Sequence, residues 1–213
     1  MTAQIAEIIR NGVYFDVKNW AGLMTQGDSL LASIDALFSL LVDRNINYVL
    51  VGGIALLSYV EGRNTQDIDL ILDRCDLEQF TELEIQEENQ NFLRGHWGSL
   101  QIDILLTQND LFKAVRENFC TERSFGSQLV RCVTVEGLIL LKCYALPSLY
   151  RQGQFNRASI YENDVLLLLL NYSVDLKPLL TLLSSHLLDS DLKEIREILA
   201  EIQQRIKRLR RSL

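Results

Sequence analysis

Asp67 and Asp69 lie two residues apart in the stretch Thr65-Gln66-Asp67-Ile68-Asp69-Leu70. In a strand, that spacing puts both carboxylates on one face and turns Ile68 and Leu70 to the other. Their Cα atoms then lie roughly 6.6 Å apart, close enough to converge on one or two hard cations such as Mg2+ or Mn2+. Asp103 repeats the pattern in Gln101-Ile102-Asp103-Ile104-Leu105, an acid between two isoleucines. If its strand neighbours the first, all three carboxylates share one surface. Three acids suit two-metal phosphoryl transfer, in which ions ~3.5–4 Å apart clamp the attacking and leaving oxygens. Asp67 and Asp69 are then metal ligands. Asp103 completes the metal set and helps remove the proton of an attacking hydroxyl. Upstream, Gly52-Gly53 ends an apolar run. Without side chains, these residues let backbone N–H groups approach phosphate. Arg63 and Thr65 immediately precede the acids, and the guanidinium is a candidate phosphate ligand.

These residues need a scaffold, and the hydrophobic pattern supplies one. Residues 1–26 carry helical spacing at Ile5, Ile8 and Ile9 and read as a peripheral arm. Asp28 reads as the N-cap of a helix from Ser29 to Asp43, with Leu30, Leu31, Ile34, Leu37, Phe38, Leu41 and Val42 on its apolar face. Tyr48–Val51 and Thr65–Leu72 read as strands, and Ile54–Val60 as a short helix between them. Leu77–Ile85 reads as helical. Asn91–Leu93 and Leu100–Leu106 read as strands joined through Gly95-His96-Trp97-Gly98. Asp110 caps a helix reaching Asn118, and Leu129–Val133 is a further strand. Thr134 caps a helix that Pro147 stops. Helical segments follow at Ile160–Leu170, Leu176–Leu187 and from Leu192 onward. The expected fold class is α+β, a mixed sheet flanked by helices and followed by a helical region. The expected division is 1–127 for the core and 128–213 for the C-terminal region.

Composition limits the alternatives. The chain has 213 residues, 48% of them apolar and 23% charged, as is ordinary for a globular protein. A net charge of −7 argues against a surface that broadly coats nucleic acid. One basic cluster stands out, Arg205, Lys207, Arg208, Arg210 and Arg211, which reads first as a helix end and second as an RNA contact. Cys75, Cys120, Cys132 and Cys143 lack metal-type spacing and read as reduced thiols of a cytoplasmic protein. No apolar run is long enough to span a bilayer, and the N-terminal residues lack the form of a signal peptide.

Taken together, Val51-Gly52-Gly53-Ile54-Ala55-Leu56, Gly62–Leu70 and Gln101–Leu105 resemble the nucleotidyltransferase superfamily, with its polymerase-beta-like core. They are most similar to the AbiEii-like branch, which contains toxin components of toxin–antitoxin and phage-defence systems. The resemblance implies transfer of a nucleotide from an NTP, ATP included, to an acceptor hydroxyl, with release of pyrophosphate and dependence on Mg2+ or Mn2+. It leaves the acceptor open, with RNA such as tRNA a candidate and an antitoxin a candidate protein partner. It also implies a triphosphate contact for Lys142, which interrupts an apolar helix, and matches Asp164 to a later acid of the pattern. The Lys-Asp pair expected just before Asp164 is absent, and Ser159-Ile160-Tyr161 stands there. That departure supports a second reading, a catalytically silent module that binds nucleotide or a partner on the same fold.

Overall fold

The computed structural model describes residues 23–60, 65, 67–125 and 128–211, with side chains from residue 31 onward. Arg63 and residues 1–22 of the expected N-terminal arm lie outside the described residues, and its residues 23–26 are helical. The chain forms two compact units that meet between Thr134 and Val135. The boundary falls seven positions later than the expected end of the core at residue 127. The cause is the strand Gln128–Val133, which the sequence pattern put in the C-terminal region and which pairs with strands of the first unit.

The first unit opens with helix α1 (Leu23–Asp43). Asp28 therefore lies inside this helix and is not its N-cap. Ile34, Leu37, Phe38 and Leu41 form a fully buried stripe at i, i+3, i+4 and i+7. Phe38 stacks on Tyr48 at 5.8 Å and meets Phe125 edge-on at 5.1 Å, fixing the helix to the sheet. Strand β1 (Val49–Val51) runs directly into the short helix α2 (Gly52–Leu57). Then come β2 (Ile68–Leu72) and the single turn α3 (Arg74–Leu77). Next are β3 (Glu84–Glu88), β4 (Phe92–Trp97) and β5 (Leu100–Leu106). Helix α4 (Asp110–Asn118) precedes the hairpin of β6 (Cys120–Phe125) and β7 (Gln128–Val133).

These strands form one mixed sheet in the order β3-β4-β5-β2-β1-β7-β6. The β2–β5 and β1–β7 pairs are parallel, and the other four neighbouring pairs are antiparallel. The α+β class expected from the sequence is the observed one.

Three local expectations fail for physical reasons. Leu77–Ile85 is not a helix, because Glu84–Glu88 pairs with β4 as an exposed edge strand. Its glutamates favour helix intrinsically, but the ladder overrides that preference. Their charge also blunts an edge open to further pairing. Gly95-His96-Trp97 is not a connection but part of β4. The hairpin turns at Gly98-Ser99, where Gly98 adopts φ 58°. Strand β6 was not expected at all, since Cys120–Phe125 mixes polar and charged residues with little alternation.

The second unit is helical: α5 (Val135–Arg151), α6 (Phe155–Asn171), α7 (Leu176–Ser184) and α8 (Asp189–Arg211). Helix α5 runs through Pro147 and does not stop there. Pro147, Leu146 and Leu149 are all buried, and this packing offsets the backbone hydrogen bond that proline cannot make. Helix α8 buries Leu192, Ile195, Leu199, Ile202 and Ile206 along one face. Among the described residues, no helix is long and apolar enough to cross a membrane.

Candidate active site

The site is built from a row of side chains across the sheet. Val51 is registered with Asp69, Asp69 with Asp103, Asp103 with Arg94, and Arg94 with Glu87. Registered residues on neighbouring strands sit ~4.8 Å apart and project to the same face. Asp103 thus lies on the strand next to that of Asp69. Asp69 is half-buried, Asp103 is 4% exposed, and Asp67, just before β2, is exposed.

Two like charges directly opposite each other destabilise a sheet unless something compensates. Arg94 compensates here. Its Nε donates to Asp103 Oδ1 at 2.7 Å and its Nη2 to Oδ2 at 2.6 Å, a two-pronged charge-assisted pair. These hydrogen bonds push the guanidinium above its ordinary range, and the nearby charges of Asp103, Glu87 and Asp67 act in the same direction. Arg94 was missed in the sequence reading. Its signal was available: a two-residue turn at Gly98-Ser99 pairs Trp97 with Leu100 and, three steps back, Arg94 with Asp103. Placing the turn at residues 95–98 hid that register.

The Gly52-Gly53 turn closes the other end of the row. Gly52 adopts φ 65°, and a Cβ there would stand 1.9 Å from Asp69 Oδ2. A Cβ on Gly53 would stand 2.6 Å from Thr65 Oγ1. Both glycines are thus needed for the backbone to approach Asp69 and Thr65 this closely. The N–H of Gly53 points to Asp69 Oδ2 at 3.3 Å, a long hydrogen bond.

A divalent ion would find hard oxygen donors at Asp67 and Asp69. Asp103 is a poorer candidate, because Arg94 engages both of its oxygens. Among the described residues, no group of three or more His, Cys, Asp and Glu side chains is arranged to hold a metal ion. The donor chemistry therefore fits a cation at two carboxylates, and the third joins only if the guanidinium moves.

Lys142 belongs to the helical unit. It is 4% exposed, donates to Asp164 Oδ2 at 2.7 Å, and lies 4.4 Å from the Tyr161 ring. A buried lysine needs such an anion, and here a residue of α6 supplies it. Arg151 is likewise paired, with Asp191 Oδ1 at 2.7 Å. The basic cluster at the C-terminus is exposed along the last turns of α8, where cations suit the helix dipole. His96 faces the same side of β4 as Arg94, and its buried Nδ1 has no hydrogen-bond partner. Cys132 and Cys143 are buried, and burial pushes both thiols up to about 12. Cys75, set among Asp73, Arg74 and Asp76, is exposed.

No protein-family model matches the chain, and no curated protein matches it in sequence. Solved structures do match in fold. The antibiotic-resistance factor ANT(2'')-Ia, in its solution structure, superposes with a TM-score of 0.51 at 15% identity, covering 87% of this chain and 99% of that one. ANT(2'')-Ia in complex with adenylyl-2''-tobramycin gives 0.49 at 13% identity, covering 83% and 98%. An antigenic nucleotidyltransferase-like protein from Paracoccidioides brasiliensis gives 0.49 at 19% identity, covering 78% and 93%. At these identities the likeness concerns the fold, which is nucleotidyltransferase-like.

Proposed function

We propose that the chain is a metal-dependent nucleotidyltransferase, moving a nucleotide from an NTP to an acceptor hydroxyl and releasing pyrophosphate. The observation that carries this reading is the row itself, Gly52-Gly53 packed against Asp69, with Asp103 registered beside it. In this reading Asp67 and Asp69 hold Mg2+ or Mn2+, which when bound neutralises the phosphates and polarises the reacting oxygens. The glycine backbone lies close under the triphosphate because no Cβ intervenes. Thr65, and Arg63 two residues before it in the sequence, serve as further phosphate contacts in this reading. Asp103 orients the acceptor hydroxyl and takes its proton once the Arg94 fork releases an oxygen. Lys142, paired with Asp164, acts as a structural ion pair in this reading and not as a triphosphate ligand. The finer assignment is an AbiEii-like component acting on RNA such as tRNA, with an antitoxin as partner. It rests on the motif resemblance alone.

One observation favours a second reading. With both Asp103 oxygens engaged by Arg94, the row is also that of a module that binds nucleotide without turning it over. A single experiment separates the two. The protein is incubated with each labelled NTP, Mg2+ or Mn2+, and pools of cellular RNA and protein. Pyrophosphate release with label on an acceptor is expected from the enzyme, and a thermal shift without release from the module. Asp67→Asn with Asp69→Asn should remove the Mg-NTP thermal shift in either case. An undiminished shift in that double variant would exclude the proposed site.

A further inference from the structure

At the other end of the strands the surface is concave. Asp69 is the second residue of β2 and Asp73 follows its end, roughly 13 Å away at the rise of a strand. There, beyond the carboxyl ends of the parallel strands β2 and β5, is a pocket of about 230 Å3. Open sheets commonly bind ligands at such strand ends. Three cations line this pocket: Lys113 and Arg116 from α4, three residues apart on one helix face, and Arg131 from β7.

Two acids, Asp73 and Glu117, also line the pocket, and a third, Asp76, pairs with Arg116. Asp73 Oδ1 accepts from the N–H of Cys75 at 3.1 Å, and its Oδ2 accepts from the Thr107 hydroxyl. Asp76 takes Arg116 Nη2 at 3.1 Å and the N–H of Asn47 at 3.4 Å. Glu117 is exposed, as Lys113 is, one helical turn further along α4. Two of the cations, by contrast, have no carboxylate. Arg131 is half-buried, yet its guanidinium donates only to neutral acceptors: Asn47 Oδ1, the Arg116 carbonyl and Cys120 Sγ. Neither Lys113 nor Arg131 forms an ion pair among the described residues. A half-buried guanidinium held by neutral acceptors keeps its full charge at the pocket it lines, and a phosphate matches its fork.

We propose that this pocket is a second, anion-binding site that takes a small phosphate-bearing ligand, inorganic phosphate or a phosphate monoester, between Lys113, Arg116 and Arg131. The proposal does not depend on nucleotide transfer at the carboxylate row.

The test is a titration of the full chain with inorganic phosphate at constant ionic strength set by chloride, read by amide chemical shifts and melting temperature. Saturable shifts at Lys113–Glu117 and Arg131 are expected. Arg131→Gln and Lys113→Gln should each weaken phosphate binding about tenfold or more, the scale of a lost charge-assisted hydrogen bond. Lys193→Gln, on an exposed lysine of α8, should leave it unchanged. Lys113 is exposed, so its variant keeps the measurement valid if Arg131→Gln disturbs β7. A competition arm with ribose 5-phosphate separates the sources. Displacement of phosphate assigns the site to monoesters, and no displacement assigns it to the free ion. Three results would overturn the proposal: shifts that do not saturate, equal weakening in Lys193→Gln, or shifts confined to Gly52, Gly53 and Asp69.

Discussion

Replacing Arg94 by methionine removes the counter-charge of Asp103 while keeping most of the side-chain volume. Asp103 is 4% exposed, and both its oxygens accept from Arg94, at 2.7 and 2.6 Å. Removing one partner of a fully buried ion pair costs ~3–5 kcal/mol, because the other charge stays buried and unpaired. The Arg94 side chain is 28% exposed, so water reaches the guanidinium side of the pair. That screening lowers the expected loss to ~2–3 kcal/mol. With a urea dependence of ~2 kcal/mol per molar, the midpoint should fall by ~1–1.5 M. Urea unfolding followed by tryptophan fluorescence reports it, since Trp97 lies on the same strand as Arg94. Arg94→Met with Asp103→Leu should recover most of the loss, because an apolar pair replaces the ionic one without an orphaned charge. Millimolar Mg2+ should also recover part of the single variant's loss, by placing a cation beside Asp103 and Asp69. A loss under ~0.5 kcal/mol, or strictly additive single substitutions, would refute the view that Arg94 is what lets Asp103 stand buried beside Asp69.

Three further outcomes are expected. Gly52→Ala should cost ~1–3 kcal/mol from its φ of 65° and displace Asp69, whose Oδ2 lies 1.9 Å from the new Cβ, so Mg-NTP thermal shifts should vanish while circular dichroism stays native. Lys142→Met should lower stability by ~3–5 kcal/mol in denaturant melts, and Asp164→Leu added to it should restore most of that if the pair is structural. Asp73 is held down at about 2, first by the Thr107 hydroxyl and then by the Cys75 side chain and N–H, from an ordinary value of 3.8. A depressed carboxylate contributes stability that is complete above the ordinary value and is lost as pH falls through the folded one. Thr107→Val should therefore raise the Asp73 titration seen in its side-chain carbon shifts. Its stability deficit should shrink as pH is lowered from about 5 to about 2. A deficit constant over that range would count against the hydrogen bond as its cause.

Much of this protein is written in local periodicity. The apolar stripe of α1, the run into Gly52-Gly53, the alternation around Asp69 and Asp103 and the face of α8 each depend on residues within one or two turns or pleats of one another. A period of two or 3.6 residues is enough to place such side chains on a face. The α+β class, a mixed sheet with helices before and after it, followed from that pattern.

What the sequence left undecided was which elements become neighbours. That β5 lies beside β2 and sets Asp103 against Asp69 is a matter of non-local strand pairing, which no local period encodes. The same holds for Arg94, whose place opposite Asp103 depends on a turn at Gly98-Ser99 two residues long, where a shift of one residue would send it to the other face. Glu84–Glu88 has the composition of a helix and became a strand because β4 offered it a ladder. Lys142 could as well have met a phosphate as a protein carboxylate; the packing of α6 on α5 brought Asp164 to it. In each case the residue type set what chemistry was available, and the tertiary partner decided which of its interactions is made.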